Sequence, residues 1–269
     1  RVEGGDPIGK RRIRRVRIKH NGSDADFPGR SVHFVFFASR HTVNIPCFDS
    51  FRYNQTATAL AIFTSFDRIR SMEALRLAGI GLGSRSELLE SAHDPRAGVV
   101  VAAGVDPSSE RRRNFRNRFP DAAVYPDHHL LLRDETIDGV FVMSPDHLHA
   151  EHATPFLKAG IPVFLEKPIA TTTHDADRIL DTARETGTKL FVGHNMRYFP
   201  CIQKMRDIIR AGTIGDVQAI WCRHFVAYGG DAYFRDWHSE SRYSTGLLLQ
   251  KGAHDIDVIH WLAGGYTRT

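Results

Sequence analysis

Short apolar runs alternate with segments of helical character from residue 75 onward. The runs Leu75–Ile80 and 99–106 are short and almost entirely apolar, so each predicts a buried strand. Helix-like segments come between such runs. The same pattern predicts further strands at 123–125, 139–143, 161–165, 189–192 and 217–225, and helices at 87–92, 128–133, 150–159, 176–185 and 251–262. This alternation predicts an α/β fold with a doubly wound parallel sheet.

A glycine-rich turn follows the first predicted strand. Gly81 and Gly83 begin the pattern G-x-G-x-x-S, and the segment 87–92 continues it as a helix. In a dinucleotide-binding fingerprint, the first glycine permits the tight turn and the second lets the backbone approach a pyrophosphate. The first N–H groups of the helix then face the phosphates. Ser86 replaces the third glycine with another small residue. The turn therefore predicts a Rossmann-like domain, although such a turn alone is weak evidence.

The second predicted strand ends in an acidic residue. Asp106 lies 25 residues after Gly81, near the position of the carboxylate that binds the ribose 2′-hydroxyl of NAD. Asp106 followed by Pro107 equally suits the start of a helix. Arg111, Arg112 and Arg113 follow, and one of them folding back onto a 2′-phosphate would permit NADP. NAD is therefore the expected cofactor, with NADP as the alternative.

The tripeptide Glu166-Lys167-Pro168 follows the apolar run 161–165. A lysine at the end of a parallel strand lies where open α/β sheets bind their ligands. Partial burial lowers the pKa of a lysine toward neutrality, so that it can act as an acid or base. Pro168 fixes the backbone and is compatible with a cis peptide bond. An ordinary surface Glu–Lys pair before a helix has the same sequence, so the interpretation depends on the motifs around it.

Positive charge is concentrated in the first quarter of the chain. The net charge is +5, and residues 1–71 hold 13 lysines and arginines against 6 acidic residues, so the remainder is slightly acidic. The main body therefore has no electrostatic reason to bind nucleic acid. The basic run 10–17 permits a nucleic-acid-binding arm or an export signal, but no pattern typical of either accompanies it. The first methionine is Met72, and we interpret 1–71 as an unassigned basic segment that is disordered or non-native.

The cysteines and apolar runs bear on the compartment. Cys47, Cys201 and Cys222 are odd in number and far apart, and they match neither a disulfide framework nor a zinc pattern. This favours a reducing, cytoplasmic setting. No apolar run is long enough to span a bilayer, so no membrane association is expected.

A cluster of histidines occurs near the start of the predicted helix 150–159. His147, His149 and His152 form H-x-H-x-x-H, which raises the question of a metal site. At such a position histidines are more often caps or ligand contacts than metal ligands, and no cysteine or dense carboxylate cluster completes the pattern. We therefore expect no metal.

Taken together, the motifs resemble the Gfo/Idh/MocA oxidoreductases, the relatives of glucose–fructose oxidoreductase and inositol dehydrogenase. The resemblance extends from about Leu75 to Gly264 and rests on the order and spacing of the motifs: the glycine turn, Asp106, S-P-D-H-L-H at 144–149, Glu166-Lys167-Pro168, G-H-N-M-R at 193–197 and H-D-I-D at 254–257. It implies hydride transfer between NAD(P) and a hydroxyl-bearing carbon of a sugar, cyclitol or related polyol. Some relatives are non-catalytic dinucleotide-binding sensors, and that function is the alternative.

The resemblance also implies domains and site residues. A Rossmann domain would occupy 72–194 and a substrate domain 195–269, and members of the family often form homo-oligomers through the open sheet of the second domain. Lys167 and His254 would be the catalytic acid–base groups. The implied cofactor-binding residues are Gly81, Gly83, Ser84, Arg85, Asp106, Ser144, Pro145, His149, Glu166 and Lys167, and the implied substrate-binding residues are Asn195, Arg197, Gln250 and Lys251.

Two features depart from the pattern of the family. Many members carry an aspartate four residues before the catalytic histidine, whereas Gln250 occupies that position here, so an Asp–His relay is not expected. Only 217–225 clearly predicts a strand of the second domain. We therefore expect an incomplete α+β substrate domain and a chain truncated at its C-terminus.

Overall fold

The computed structural model describes residues 31–38, 42–48, 74–225 and 233–265, the first two ranges as backbone only. Within these residues the chain divides into two compact units. The larger unit contains residues 74–194 and 233–253. The smaller unit contains the two ranges before residue 51, together with 195–225 and 254–265.

The described strands and α-helices are numbered here in chain order. The strands are β1 Ser31–Ala38, β2 Thr42–Phe48, β3 Leu75–Ile80, β4 Val99–Val105, β5 Ala123–Tyr125, β6 Gly139–Val142, β7 Val163–Leu165, β8 Leu190–Val192 and β9 Val217–Phe225. The helices are α1 Glu87–Ala92, α2 Ser109–Arg118, α3 His128–Asp134, α4 His149–Lys158, α5 Thr173–Thr186, α6 Pro200–Arg210, α7 Ser241–Ser244, α8 Leu247–Gln250 and α9 Gly252–Ala263. Short 3₁₀ turns include 84–86, 146–148 and 195–198.

The larger unit is built on a six-stranded parallel sheet. Its strand order is β5-β4-β3-β6-β7-β8, so the chain proceeds outward from β3 on one side and then from β6 on the other. This is the strand order of a Rossmann fold, and the order reverses between β3 and β6. The predicted doubly wound sheet is therefore confirmed. Ligands of such sheets bind beyond the carboxyl ends of the strands at this reversal.

Hydrophobic side chains cover both faces of this sheet. Leu77 and Phe141 pack on one face with helices α1 and α2, whereas Ala78 and Val140 pack on the other with α4 and α5. Because both faces are buried, the strands consist of continuous apolar runs instead of alternating apolar and polar residues. This double burial is the reason that the sequence pattern located the strands so closely.

The smaller unit contains a three-stranded antiparallel sheet of order β2-β1-β9. Ser31 pairs with Phe48 of β2 and with Phe225 of β9, and the pairing continues along β1 on both sides. On these two ranges the structure differs from the expected disorder of 1–71, and β9 is not a lone strand. The short run 32–38 is rich in valine and phenylalanine, which favour strands. The rest of 1–71 lies outside the described residues.

The hydrophobic core of the smaller unit lies between helices α6 and α9. It is formed by Ile202 and Met205 of α6, Val258 and Leu262 of α9, and the neighbouring Met196. Each pair is spaced three or four residues apart along its helix, as one face of an amphipathic helix requires.

The described cysteines differ in their bonding. Cys201 on α6 is disulfide-bonded whereas Cys222 on β9 is free, so the expectation that the cysteines form no disulfide is corrected. Cysteine spacing cannot report which residues approach each other in space.

In the part of the chain that the structure describes, no helix has the length and apolar character needed to cross a membrane.

Candidate active site

The glycine turn lies against the end of the neighbouring strand in the larger unit. Gly81 adopts a positive φ of 87°. A Cβ atom at this position would lie 2.7 Å from the backbone nitrogen of Ser144 and 2.8 Å from the carbonyl carbon of Met143. The Gly81 N–H also donates to the carbonyl of Val105 at 2.9 Å. Only glycine satisfies both the backbone angle and this close approach, so the turn is fixed at the reversal between β3 and β6.

Gly83 occupies a different environment. A Cβ atom there would meet only Nη1 of Arg111 within 4 Å, at 3.9 Å. The protein itself therefore does not require glycine at this position, whereas a pyrophosphate lying against the backbone would. The buried Ser86 closes the turn, because its hydroxyl donates to the Gly83 carbonyl at 2.7 Å. The turn fits the dinucleotide that the sequence predicts.

Asp106 organises the same turn from the end of β4. Its buried carboxylate accepts hydrogen bonds from the backbone N–H of Leu82 and of Ser108, both at 2.9 Å. Both roles considered from the sequence are therefore compatible, because a carboxylate with two such bonds keeps acceptor capacity for a ribose hydroxyl. Among the arginines considered for a 2′-phosphate, Nη1 of Arg111 lies 3.5 Å from the carboxylate. Arg112 instead donates to the Asp106 carbonyl at 2.6 Å.

An ion pair links the glycine turn to the end of β7. Nε of Arg85 donates to Oε1 of Glu166 at 2.8 Å, and Nη2 contacts the same oxygen. The other carboxylate oxygen accepts the backbone N–H of Lys167 at 3.0 Å. Glu166 is buried while Arg85 is partly exposed. The two residues therefore connect the loops that follow β3 and β7, on either side of β6.

Lys167 is the candidate acid–base group. Its Nζ donates to the backbone carbonyl of Gln250 at 2.8 Å. Burial lowers the pKa of the Lys167 amine, although the charges of Glu166 and Asp146 act in the opposite direction. The peptide bond between Lys167 and Pro168 is cis, as the sequence permits. Lys167 therefore combines a depressed pKa with a fixed position at the ligand-binding edge of the sheet.

Asp146 is the functional candidate that the sequence analysis did not single out. It lies in the 3₁₀ turn 146–148, directly after Ser144 and Pro145. Burial raises the pKa of Asp146 to about 6, against the opposing effects of the Lys167 charge and of a long hydrogen bond, 3.4 Å, from the Gln250 amide. The residue belongs to the S-P-D-H-L-H motif, but nothing in the motif indicates that its carboxyl group is buried. Asp146 and Lys167 thus form an electrostatically coupled pair.

A group of aromatic rings in the larger unit includes His147, the residue that directly follows Asp146. The centroid of the His147 ring is 4.5 Å from that of Tyr243 and 6.3 Å from that of Trp237. Trp237 in turn stacks on His238 at 3.8 Å. Burial lowers the pKa of His238, and the charge of Lys167 lowers it further. Flat faces of this kind suit the apolar face of a sugar or cyclitol ring.

His149 links two loops through its ring nitrogens. The ring is fully buried, with Nδ1 2.8 Å from the Pro168 carbonyl oxygen and Nε2 3.0 Å from that of Ser144. Burial lowers the pKa of this imidazole, and a neutral ring donates only one of these two contacts. These contacts position the loops that carry Ser144 and Pro168, and cofactor binding by His149 stays a prediction. Ser144, in turn, places its hydroxyl 2.8 Å from Nδ1 of His152.

The other predicted site residues are distributed between the two units. In the larger unit, Ser84 is exposed at the start of the turn 84–86, Pro145 precedes the turn 146–148, and Gln250 and Lys251 are buried. In the smaller unit, Asn195 begins the turn 195–198 and His254 lies near the start of α9.

Arg197 in the smaller unit forms a bidentate ion pair. Its Nε lies 2.7 Å from Oδ2 of Asp257 and its Nη2 lies 2.5 Å from Oδ1. The hydrogen bond to Asp257 raises the pKa of Arg197. Asp257 is thus the supporting residue of this pair, and substrate binding by Arg197 stays a prediction.

Comparison with known families agrees with this geometry. A family model described as "Oxidoreductase family, NAD-binding Rossmann fold" matches residues 75–194, which contain the whole parallel sheet. A second model, described as "GFO/IDH/MocA C-terminal domain", matches residues 202–269. The class is therefore that of the oxidoreductases with a NAD-binding Rossmann domain. Within it, the chain belongs to the Gfo/Idh/MocA family, as its motifs predict.

Individual relatives show the extent of the similarity. A 1-carboxy-3-chloro-3,4-dihydroxycyclohexa-1,5-diene dehydrogenase of Comamonas testosteroni is 31% identical over 71% of this chain and 48% of its own length. An inositol 2-dehydrogenase of Salmonella typhimurium is 29% identical over 69% of this chain and 53% of its own length. The crystal structure of a myo-inositol 2-dehydrogenase from Lactobacillus plantarum shares the fold, with a TM-score of 0.61 at 23% identity over 71% of this chain and 57% of that one. The chain thus spans about half the length of the curated relatives that it matches.

Proposed function

We propose that this chain carries the cofactor site and part of the catalytic machinery of a NAD-dependent dehydrogenase. The reaction would transfer hydride between nicotinamide and a hydroxyl-bearing carbon of a sugar, cyclitol or related polyol. The observation that carries this proposal is Lys167, whose amine has a lowered pKa and is held at the ligand-binding edge of the sheet. A protein that only bound the dinucleotide would have no need for a buried amine at this edge.

The proton chemistry follows from the groups around Lys167. Oxidation of an alcohol removes a hydroxyl proton as hydride leaves the carbon, so a base must lie within hydrogen-bond reach of that hydroxyl. NAD accepts the hydride when it is bound. A neutral Lys167 amine accepts the proton, and Asp146, with a pKa of about 6, stabilises the ammonium that forms. His254, the second predicted acid–base group, lies in the smaller unit, and its role stays a proposal.

The choice of NAD rests on Asp106. Its carboxylate is fixed by two backbone N–H groups and cannot turn away from a nearby 2′-phosphate. The adjacent Arg111 partly offsets this charge. We therefore expect NAD to bind more tightly than NADP without excluding NADP altogether.

The substrate class rests on the family and on the aromatic side chains. The two curated relatives carry names that describe a dihydroxylated six-membered ring and an inositol. The rings of His147, Trp237 and Tyr243 provide flat faces for such a ring, and His147 directly follows Asp146 in the chain. A cyclic polyol is therefore the first substrate class to test.

Turnover of a cyclitol and sugar panel with NAD tests the proposal. We expect NADH formation with at least one polyol, and a loss of about 10²- to 10⁴-fold in kcat when Lys167→Met removes the base. Lys158→Met, at the exposed end of α4, is the matched control and should leave the rate unchanged. Equal rates for the Lys167→Met variant and the parent chain would contradict the proposal.

A dinucleotide-binding sensor without catalysis is the second candidate. It is favoured by Gln250, which cannot exchange a proton and occupies the position of the aspartate found in many family members. This candidate predicts saturable NAD binding, measured by calorimetry, together with no turnover across the same panel. It also predicts that Lys167→Met leaves the affinity for NAD nearly unchanged.

A further inference from the structure

Three side chains that commonly bind metals converge between helices α3 and α4. His128 begins α3, and Glu151 and His152 lie in the first turn of α4. Each offers one ligand atom, and these atoms all lie within 4.8 Å of one another. The histidine pattern weighed in the sequence is not the group that assembles, because only His152 belongs to both.

His128 supplies independent evidence for a ligand at this position. Its side chain is buried, with 3% exposure, and its Nε2 atom has no hydrogen-bond partner. A buried polar nitrogen without a partner costs on the order of 1–3 kcal/mol. The cost disappears when this nitrogen binds a ligand. A metal ion suits it because an imidazole nitrogen without its proton has a lone pair to donate.

His152 is oriented as a metal ligand requires. Its Nδ1 lies 2.8 Å from the hydroxyl of Ser144, which leaves Nε2 as the nitrogen for a metal. Histidine ligands usually bind a metal through one nitrogen while the other is held by a partner of this kind. The His152 ring centroid is 4.7 Å from that of His128, so the two imidazoles are already adjacent.

Neighbouring histidines do not compete for this ligand set. Both ring nitrogens of His149 contact backbone carbonyl oxygens. The His147 ring instead lies against Tyr243. A second group, Asp127, His128 and His129, shares only His128 with the first. In that group Oδ1 of Asp127 accepts the backbone N–H of His129 at 2.7 Å, and both residues are exposed. Glu151 is exposed, as Asp127 and His129 are, and can turn toward an ion. The first group is favoured because His152 is half-buried and held by Ser144, whereas His128 is the one member of the second group that is not exposed.

We propose that His128, Glu151 and His152 bind a divalent transition-metal ion, with Zn²⁺ as the ion that fits this ligand set. Two imidazoles and one carboxylate, with the fourth position open to water, form one of the ligand sets that zinc accepts. The ion would join α3 to α4 directly behind Ser144. Such a site is independent of the proposed dehydrogenase activity.

Metal titration of the whole chain, prepared without a histidine tag and dialysed against a chelator, tests this inference. We expect calorimetry to show one Zn²⁺ bound per chain, and Co²⁺ to give the intense visible absorption of a four-coordinate site. Glu151→Gln should weaken Zn²⁺ binding at least tenfold, and His152→Gln should weaken it further. His174→Gln, on the exposed first turn of α5, is the matched control and should bind as the parent chain does.

Two outcomes would overturn the proposal. The first is the absence of saturable Zn²⁺ binding by the folded parent chain. The second is binding that survives in both Glu151→Gln and His152→Gln but is lost in His129→Gln, which would assign the ion to the group around Asp127. Because Glu151 is exposed, its substitution should leave the circular dichroism spectrum unchanged, so weaker binding would not reflect unfolding.

Discussion

At the scale of single residues, the proposed proton chemistry rests on the buried Asp146 and the half-buried Lys167. Burial raises the pKa of Asp146 from 3.8 to about 6, so its carboxyl group keeps a proton in the folded chain that it loses in the unfolded chain. Between these two values the folded state binds more protons, and its stability therefore falls as the pH rises. A shift of roughly two units corresponds to about 3 kcal/mol once the carboxyl is fully ionised.

Asp146→Asn should remove this pH-dependent cost. The amide of the variant does not ionise. The free energy of unfolding of the variant, relative to that of the parent chain, should therefore be up to about 3 kcal/mol higher at pH 8 than at pH 4. Urea denaturation at both pH values measures the difference. Asp121→Asn, at an exposed position, should show the same stability difference from the parent at both pH values. If the stability difference between Asp146→Asn and the parent chain were also the same at both pH values, Asp146 would not have the raised pKa described above.

The ion pair between Arg85 and Glu166 gives a second prediction for single residues. Arg85→Gln should destabilise the chain by about 1–3 kcal/mol, since it leaves the buried Glu166 carboxylate without its cation. Adding Glu166→Gln should recover part of that loss, because the double variant buries no charge at this point. Arg96→Gln breaks only an exposed contact and is the control. Independent, additive effects of the two substitutions would argue against this coupling.

The sequence predicted part of this site and missed the rest for physical reasons. Gly81, Gly83 and Lys167 belong to local motifs whose spacing fixes their place at the edge of the sheet. Asp146 was missed because its pKa depends on burial, and burial is created by side chains distant in the sequence. The partner of Lys167 is a backbone carbonyl, which carries no signature in the sequence at all.

At the scale of elements, the strands of the parallel sheet were located to within about two residues. Strands that are buried on both faces of a parallel sheet consist of continuous apolar runs, and such runs are easily located in a sequence. The predicted strand 161–165 begins only at Val163, because Pro162 cannot donate a hydrogen bond to a neighbouring strand. Helix α5 begins at Thr173, three residues earlier than predicted, because the Thr172 hydroxyl accepts the N–H of Asp175 and caps the helix. Hydrophobic periodicity does not report a side-chain hydrogen bond of this kind.

The glycine turn gives a prediction at this scale, with two substitutions that should separate folding from binding. Gly81→Ala should lower stability by about 1–3 kcal/mol, because its φ of 87° and its contact with the Ser144 backbone both exclude a side chain. Gly83→Ala should leave stability unchanged, because only Arg111 is near, yet should weaken NAD binding at least tenfold. Thermal unfolding and calorimetry measure the two effects. If Gly83→Ala binds NAD as tightly as the parent chain does, the pyrophosphate does not lie against this turn.

For the whole molecule, the division into two units determines how a bound cofactor acts. All the predicted NAD contacts lie in the larger unit. NAD at one hundred times its Kd should add about 2.7 kcal/mol to the stability of that unit, which corresponds to a rise in Tm of about 5–10 °C. NADP at the same concentration should give a smaller rise because of Asp106. Scanning calorimetry measures both, and equal shifts for the two dinucleotides would contradict the role of Asp106.

The sequence could not predict how the chain is shared between the units. One break between the compact units falls after residue 194, and residues 233–253 group with the larger unit, while the division into a Rossmann domain at 72–194 and a substrate domain at 195–269 stays an expectation. No linker-like composition marks either end of the stretch 233–253. The interpretation of 1–71 as a non-native segment stays an expectation. Within this segment the structure describes only the backbone of β1 and β2.

The hydrogen bond between Lys167 and Gln250 also constrains the order in which the site forms during synthesis. The two residues are separated by 83 positions. At about 5–20 residues per second, a ribosome finishes Gln250 roughly 4–17 s after Lys167. The lysine is therefore made, and its strand can join the sheet, while the amine is still hydrated by water. The nascent chain can therefore form the parallel sheet first, and the proposed acid–base site is completed only when the segment that contains Gln250 packs against Lys167.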